Sequence, residues 1–351
     1  MNFEEFILYA RQNNASDIHL TVGAPTVFRI NGELVRFSEM SEQVVNKTIL
    51  ALLTAEQEKR LTEGEDLDFT FQLSNGARQR VNVYRQGGKL AASIRLLNEK
   101  IPDIDSLGLP PIISELAKKK RGLILATGPT GSGKTTTLSA VIDYINKNRA
   151  CHIITIEDPV EYKYEPQIAT IHQREIGRDV PNFNYALRSA LREDPDVIMV
   201  GEMRDYETIM LALTAAETGH LVLATLHTIG AAQTINRIID ACPPNVQEQI
   251  RTQLSTILEA VISQTLIPTK DGKNRALALE ILIGTDAVKN LIRSNKVHQL
   301  ASAIQQGSRQ GMSTLSDSIA NLIRRDKISR QAGLEYCSDK EELLKLINAG
   351  F

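Results

Sequence analysis

With 351 residues, 42% of them hydrophobic and 23% charged, the chain is long enough for two or three globular domains. Its formal net charge of −2 excludes a basic field that would attract nucleic acid or anionic lipid, and its three scattered cysteines argue against a zinc site or a disulfide framework. The N-terminus lacks the layout of a signal peptide and no apolar run reaches the ~18 residues of a membrane span, so we expect a reduced, soluble, cytoplasmic protein.

The first 97 residues are predicted to form a small mixed α/β domain. Alternating apolar and polar residues indicate a half-buried strand over 67–73, and the turn signals Asn75-Gly76 and Gly87-Gly88 separate it from two further strands. Those strands are expected at 79–84 and 90–97, after shorter ones at 16–21, 25–30 and 33–36 and a helix from about residue 41. Residues 98–111 contain three prolines and no clear period, which is typical of a linker.

The second of these hairpins carries two facing arginines. If Gly87 and Gly88 form its loop, Arg80 lies directly opposite Arg95, while Val81 and Val83 face the core. Like charges in this arrangement destabilise the strand pair unless they are solvated or covered by a polyanion. The arginines are therefore either simple surface residues or charge donors to a phosphate chain.

The central motif of the chain begins at Gly128 and matches the P-loop pattern G-x-x-x-x-G-K-[ST]. Its glycines let several backbone N–H groups face one phosphate chain, at the N-terminus of the following helix. Lys134 supplies charge for the outer phosphates, and the Thr135 hydroxyl is placed to bind Mg²⁺. The candidate nucleotide-binding residues are Gly128, Pro129, Thr130, Gly131, Ser132, Gly133, Lys134, Thr135 and Thr136.

From Gly122 onward, strands alternate with helices, which predicts an α/β domain with a mostly parallel, doubly wound sheet over 112–284. Strands are expected at 123–126, 152–156, 168–171, 197–200 and 221–224, and helices at 135–146, 184–192, 206–218 and 231–241. The apolar stripe from Ile250 to Val261 predicts a longer helix, followed by a hairpin around Asp271-Gly272. The region 285–351 is expected to be helical, at 286–294, 297–306, 313–325 and 339–347.

Polar residues follow three of the predicted parallel strands. Glu161 closes an acidic loop after 152–156, Glu202 follows 197–200, and His227 follows 221–224. A carboxylate there can orient or deprotonate a water, a second can approach Mg²⁺, and an imidazole can bind a terminal phosphate. Each feature alone also fits an ordinary loop or a structural histidine, but together they favour a hydrolytic site.

These stretches resemble the motifs of the secretion and pilus (GspE-like) ATPase superfamily. Residues 191–205 (LREDPDVIMVGEMRD) resemble its long signature, 156–161 (IEDPVE) its Asp box, and 218–228 (TGHLVLATLHT) its His box. Within it the chain is similar to the type IV pilus retraction ATPases (PilT type), since we expect neither a long N-terminal extension nor a four-cysteine zinc insertion. Residues 287–293 (AVKNLIR) resemble a C-terminal motif of that branch.

The resemblance implies a PAS-like N-terminal domain and a RecA-like ATPase core that binds ATP and Mg²⁺. By matching positions, Glu161 is the general base, Glu202 the Walker B acid at the metal and His227 a phosphate sensor, while Arg80 and Arg95 contact the nucleotide. The family implies a homohexamer that associates peripherally with the inner face of the inner membrane through a pilus platform protein.

Three other functions stay open. One is a pilus-extension or type II secretion assembly ATPase, and another is a nucleotide-gated scaffold that does not hydrolyse ATP. The third is a nucleic-acid translocase, against which the charge and the 5% aromatic content argue.

Overall fold

The computed structural model describes residues 3–30, 32–38, 41–97 and 100–348, which fall into two compact units. Residues 1–100 and the short segment 159–163 belong to the first unit, and 101–158 and 164–351 to the second. Residues 98 and 99, the start of the predicted linker, lie outside the described residues.

The first unit is an antiparallel sheet with three helices. In chain order its elements are α1 (Phe3–Gln12), β1 (Ala15–Thr21), β2 (Thr26–Ile30), β3 (Glu33–Ser38), α2 (Glu42–Leu50), α3 (Ala55–Thr62), β4 (Leu67–Gln72), β5 (Arg78–Gln86) and β6 (Lys89–Leu96). The six strands lie in the order β3-β2-β1-β6-β5-β4. The helix predicted from residue 41 begins where the Ser41 hydroxyl accepts the Val44 N–H.

The β5–β6 hairpin has the predicted register. Arg80 pairs directly with Arg95, and Val81 with Ile94. Val81, Val83 and Ile94 are fully buried, so the opposite face of the hairpin carries both arginines. A two-residue glycine turn therefore determines which side chains share this face.

The second unit begins with an α/β core. Its elements are α4 (Ile112–Ala117), β7 (Gly122–Thr127), α5 (Lys134–Asn148), β8 (His152–Glu157), β9 (Thr170–Glu175), α6 (Phe183–Ala190), β10 (Val197–Val200), α7 (Tyr206–Glu217), β11 (Leu221–Leu226), α8 (Ala231–Asp240), α9 (Gln247–Ile257), β12 (Leu258–Pro268) and β13 (Arg275–Ile283). Helices pack on both faces of the sheet: α4 and α5 cover one, and α6 to α9 the other. The predicted α/β doubly wound architecture is therefore present.

The seven strands of this sheet lie in the order β13-β12-β7-β11-β10-β8-β9. All neighbours are parallel except β12 and β13, which form the predicted antiparallel hairpin. Strands β7, β10 and β11 are buried along their whole length, as strands covered on both faces must be. Their carboxyl ends meet at one edge of the sheet.

One predicted element of the core is wrong. The helix expected to continue to Val261 ends at Ile257, and Leu258 begins the eleven-residue strand β12. This strand pairs with β7, the strand that leads into the P-loop, and the pairing buries Ala260, Val261 and Ile262. A short apolar run is compatible with both structures, so its tertiary partner decides.

The C-terminal helices are α10 (Asp286–Arg293), α11 (Leu300–Gln306), α12 (Leu315–Arg324), α13 (Arg330–Tyr336) and α14 (Lys340–Asn348), with 3₁₀ turns at Val297–Gln299 and Ser308–Gln310. Helices α12 to α14 bury a cluster that includes Ile319, Ile328 and Leu343 against Ile267 and Ala278 of the β12–β13 hairpin. This last part of the chain therefore packs directly on the edge of the central sheet.

Candidate nucleotide-binding and hydrolytic site

The loop between β7 and α5 forms a cradle of backbone N–H groups. Gly131 and Gly133 adopt left-handed conformations, with φ of 77° and 90°. Gly133 occupies the N-cap of α5 without a side-chain cap, so the first-turn N–H groups face the loop. This arrangement is typical of an anion site at a helix N-terminus.

The position of Gly128 is the most constrained in the cradle. Its φ is 137°, and a Cβ atom there would lie 2.3 Å from the carbonyl oxygen of Gln264 on β12. Only glycine allows β12 to approach the start of the loop this closely. The neighbouring strand thus contributes directly to the shape of the cradle.

Lys134 brings its positive charge into this loop. Its Nζ donates to the carbonyl oxygens of Gly128 at 2.8 Å and Pro129 at 3.0 Å, and the residue is 8% exposed. The buried Ser132 hydroxyl has no hydrogen-bond partner among the described residues. Backbone donors, a buried cation and a free hydroxyl are the groups that hold a phosphate chain, so the residues present fit a nucleoside polyphosphate.

The acid after β10 lies in a small charged cluster. Glu202 contacts Arg204 (Oε2 to Nη2, 2.7 Å) and His227 (Oε1 to Nε2, 3.1 Å), and its own side chain is 17% exposed. Gly201 sits where a Cβ would lie 3.1 Å from the carbonyl oxygen of Ile156. The structure therefore brings together two of the predicted residues, Glu202 and His227, at adjacent strand ends.

The charge state of Glu202 follows from these neighbours. Burial acts to raise its pKa, but the hydrogen bond and positive charge of Arg204, aided by His227, together hold the pKa of Glu202 below its usual value. The same contact raises the pKa of the Arg204 guanidinium. Glu202 is therefore an ionised carboxylate at neutral pH, as an acid that approaches a metal must be.

The loop that carries His227 is fixed by β12 and β13. The Gly230 N–H donates to the Ser263 hydroxyl at 2.9 Å, and the Ala231 N–H donates to Glu280 Oε1 at 2.7 Å. The N-cap residue of α8 is Gly230, which has no side chain to accept these N–H groups. The Ser263 hydroxyl and the Glu280 carboxylate therefore act as the cap of α8. They hold the start of α8 and, with it, the loop behind His227.

The remaining predicted residues belong to the first unit. Arg80 makes a two-pronged ion pair with Asp68 (shortest N–O distance 2.6 Å), and Arg95 pairs with Asp17 at 2.9 Å. Glu161 is half-buried in the 159–163 segment that belongs to this unit. The two like charges of the hairpin are thus each balanced by a carboxylate on a flanking strand.

Comparison with known proteins places this site in a family. The family model for the type II/IV secretion system protein matches residues 2–343. The chain belongs to that family. The predicted membership of the secretion and pilus ATPase superfamily is confirmed.

Two curated relatives and one solved structure show how close the similarity is. The type IV pilus retraction ATPase PilT of Pseudomonas aeruginosa is 45% identical over 95% of this chain and 98% of its own length. A twitching motility protein of Neisseria gonorrhoeae is 44% identical over 95% of this chain and 89% of its own length. The crystal structure of the pilus retraction motor PilT with bound ADP matches 98% of this chain and 99% of its own, with a TM-score of 0.91 and 45% identity. This match confirms the predicted fold class, a PAS-like α+β domain followed by a RecA-like core with C-terminal helices.

Sequence reasoning did not select several residues that shape this family site. Arg204 lies in the long signature, two positions after Glu202, but only the structure shows its ion pair. Gln264, Ser263 and Glu280 lie on strands with no motif of their own, so no local signal could have found them. Within the described residues, no helix is long and apolar enough to cross a membrane, and no cluster of His, Cys, Asp or Glu suited to a metal occurs.

Proposed function

We propose that this protein is an ATP-hydrolysing motor that powers retraction of type IV pili. The observation that carries the proposal is a P-loop cradle in the same sheet as the Glu202–His227 contact, in a chain 45% identical over nearly its full length to a pilus retraction ATPase. The names of the relatives agree with the enzyme class and the function predicted from the sequence.

We assign the residues the roles that the family resemblance implies, each of which their chemistry allows. The cradle and Lys134 bind the phosphate chain of ATP, and His227 senses its terminal phosphate. Glu161 removes a proton from the attacking water, while Arg80 and Arg95 exchange their carboxylate partners for phosphate oxygens. Mg²⁺ would be held by Thr135 and, through water, by Glu202, and would neutralise charge on the phosphates.

The working assembly is proposed from the family. Six copies form a ring that acts at the cytoplasmic face of the inner membrane, where a platform protein of the pilus machine binds it. Domain opening and closing around each nucleotide, with residues 98–111 as the hinge, passes work to the pilin subunits.

The enzymatic part is tested by Lys134→Ala. Phosphate release from ATP should fall on the order of 10²-fold or more, because the variant loses the buried charge that contacts the phosphates. Lys118→Ala is the matched control, since Lys118 is exposed at the end of α4 and forms an ion pair with Glu115 of that helix. Equal rates in the two variants would contradict the assignment of the site.

The biological part is tested in cells. Deletion of the gene should leave pili that accumulate on the surface, and only the wild-type gene, not the Lys134→Ala variant, should restore their removal. Loss of pili on deletion would instead indicate an extension motor.

A further inference from the structure

Gln264 on β12 is a buried polar residue beside the P-loop. It is 1% exposed, and its Nε2 donates to the Thr137 hydroxyl of α5 at 2.9 Å. Its Oε1 has no hydrogen-bond partner within the described part of the chain. A buried polar atom without a partner costs free energy, and an apolar side chain of similar length would avoid that cost. An amide at this position therefore indicates a role beyond filling the core.

Gln264 is also adjacent to both ends of the P-loop. At the start of the loop, its main-chain carbonyl oxygen lies 2.3 Å from where a Cβ atom on Gly128 would be. At the end, its Nε2 lies 3.8 Å from the corresponding point on Gly133, the N-cap of α5. The Thr137 N–H donates to the Gly133 carbonyl at 2.9 Å, so the hydrogen bond from Gln264 reaches the first turn of α5. One residue on the neighbouring strand thus lies against the loop where it leaves β7 and where it enters the helix.

Other buried polar groups of the loop do not provide such a link. The hydroxyls of Thr127 and Ser132 have no hydrogen-bond partner among the described residues, and Lys134 Nζ donates to carbonyl groups of the loop itself. The Gln264 amide instead joins α5 to β12, a strand more than a hundred residues away in sequence. It therefore restrains the start of the helix relative to the sheet.

We propose that Gln264 is a positioning residue of the ATPase, which holds the first turn of α5 at the distance from β12 that lets the loop N–H groups converge on the phosphate chain. The proposal rests on the proposed function and deepens it, because it assigns part of the geometry of the phosphate site to a residue outside the P-loop motif. Gln264 acts through the loop and not on the reacting phosphate. Its loss should therefore weaken binding of the phosphate chain and leave the chemical step nearly unchanged.

Gln264→Met tests this role, because methionine keeps the length of the side chain and removes the amide. We expect the Kd of inorganic tripolyphosphate and the KM for ATP to rise about tenfold, the size of effect of one buried hydrogen bond, while kcat stays within about twofold of the wild type. Calorimetry and phosphate release measure these constants on the full-length protein.

The hydrogen bond itself is tested from its other end. Thr137→Val removes the acceptor hydroxyl and should raise the same two constants by a similar factor, whereas Thr137→Ser keeps the hydroxyl and should behave as the wild type does. The double variant Gln264→Met/Thr137→Val should lose no more affinity than either single variant, since both remove one interaction. If Gln264→Met does not fold, as judged by circular dichroism, the two Thr137 variants still decide the question.

Gln253→Met is the matched control. Gln253 on α9 also donates one hydrogen bond from Nε2, to Glu217 at 2.9 Å, and its buried Oε1 also lacks a partner in the described structure. Helix α9 covers the opposite face of the sheet from α5, so this variant should bind tripolyphosphate as the wild type does.

Three results would overturn the inference. They are a tripolyphosphate affinity of Gln264→Met and Thr137→Val within about twofold of the wild type, additive losses in the double variant, and a lowered kcat with an unchanged KM. A wild-type protein that neither binds tripolyphosphate nor hydrolyses ATP would instead refute the proposed function, and this inference with it.

Discussion

At the scale of single residues, Glu280 shows how a buried carboxylate can serve a distant loop. It lies on β13, half-buried, and accepts the Ala231 N–H at the start of α8. Burial raises the pKa of Glu280, and the negative charge of Glu342 raises it further. The hydrogen bond from Ala231 lowers this pKa, but by less than burial raises it. The group is therefore more easily protonated in the folded protein than in the unfolded chain.

This shift gives a pH-dependent prediction for Glu280→Gln. A raised folded-state pKa contributes stability that is fully present below the ordinary carboxyl pKa and is lost as pH rises through the raised value. Glutamine keeps the acceptor oxygen and cannot ionise, so the stability of the variant relative to the wild type should increase as the pH rises above the ordinary carboxyl pKa and through the raised pKa of Glu280. Urea unfolding at several pH values measures the difference.

The exposed Glu248→Gln variant, which makes the same substitution outside the contact with α8, is measured beside it as the control. A Glu280→Gln variant that is less stable than the wild type by the same amount at every pH would contradict the explanation.

At the scale of elements, the site depends on parallel strands that end at one edge. The loop after β7 is packed closely against β12, whose Gln264 carbonyl oxygen lies 2.3 Å from where a Cβ atom on Gly128 would be. A strand and a loop separated by more than a hundred residues in sequence therefore share one constraint.

Gly128→Ala should disturb both stability and binding. We expect a loss of about 3 kcal/mol or more in the free energy of unfolding, since strained backbone costs about 1–3 kcal/mol and overpacking costs a similar amount. Gly272→Ala is the control: its φ is also positive, at 66°, but no atom lies within 4 Å of the new Cβ. That variant should lose only about 1 kcal/mol and keep its affinity for ADP. Equal losses in the two variants would show that the contact with β12 is unimportant.

At the scale of the whole molecule, the proposed functional groups are divided between the two units. The cradle, Glu202 and His227 belong to the second unit, whereas Arg80, Arg95 and Glu161 belong to the first. Binding of the nucleotide and its hydrolysis should therefore be separable by mutation.

Arg80→Ala should bind ATP as the wild type does and hydrolyse it about 10³-fold more slowly, the usual effect of losing an arginine that stabilises the transferred phosphoryl group. Nucleotide affinity and single-turnover phosphate release on the assembled protein measure the two effects. Arg36→Ala, on the exposed strand β3, is the control. Turnover that Arg80→Ala leaves unchanged would remove the arginine from the mechanism.

Some elements escaped prediction because their local signals are weak. Helix α3 buries only Leu61, and α13 buries only Gly333, so neither has an apolar stripe to detect. Glycine at position 333 allows α13 to pack closely on α12, since a Cβ atom there would lie only 2.7 Å from Cδ1 of Ile323. This packing is invisible in a local window of sequence.

The amino-acid sequence by itself determined the phosphate cradle, the strands that end beside it and the register of the arginine hairpin. Each of these follows from spacing within a few residues, because turns and strand periodicity are local. Only the tertiary structure decided that residues 258–268 form a strand, that Arg204 and His227 both contact Glu202, and that the C-terminal helices pack on the β12–β13 hairpin. Those contacts join distant parts of the chain, and their stability comes from neighbours that no local pattern specifies.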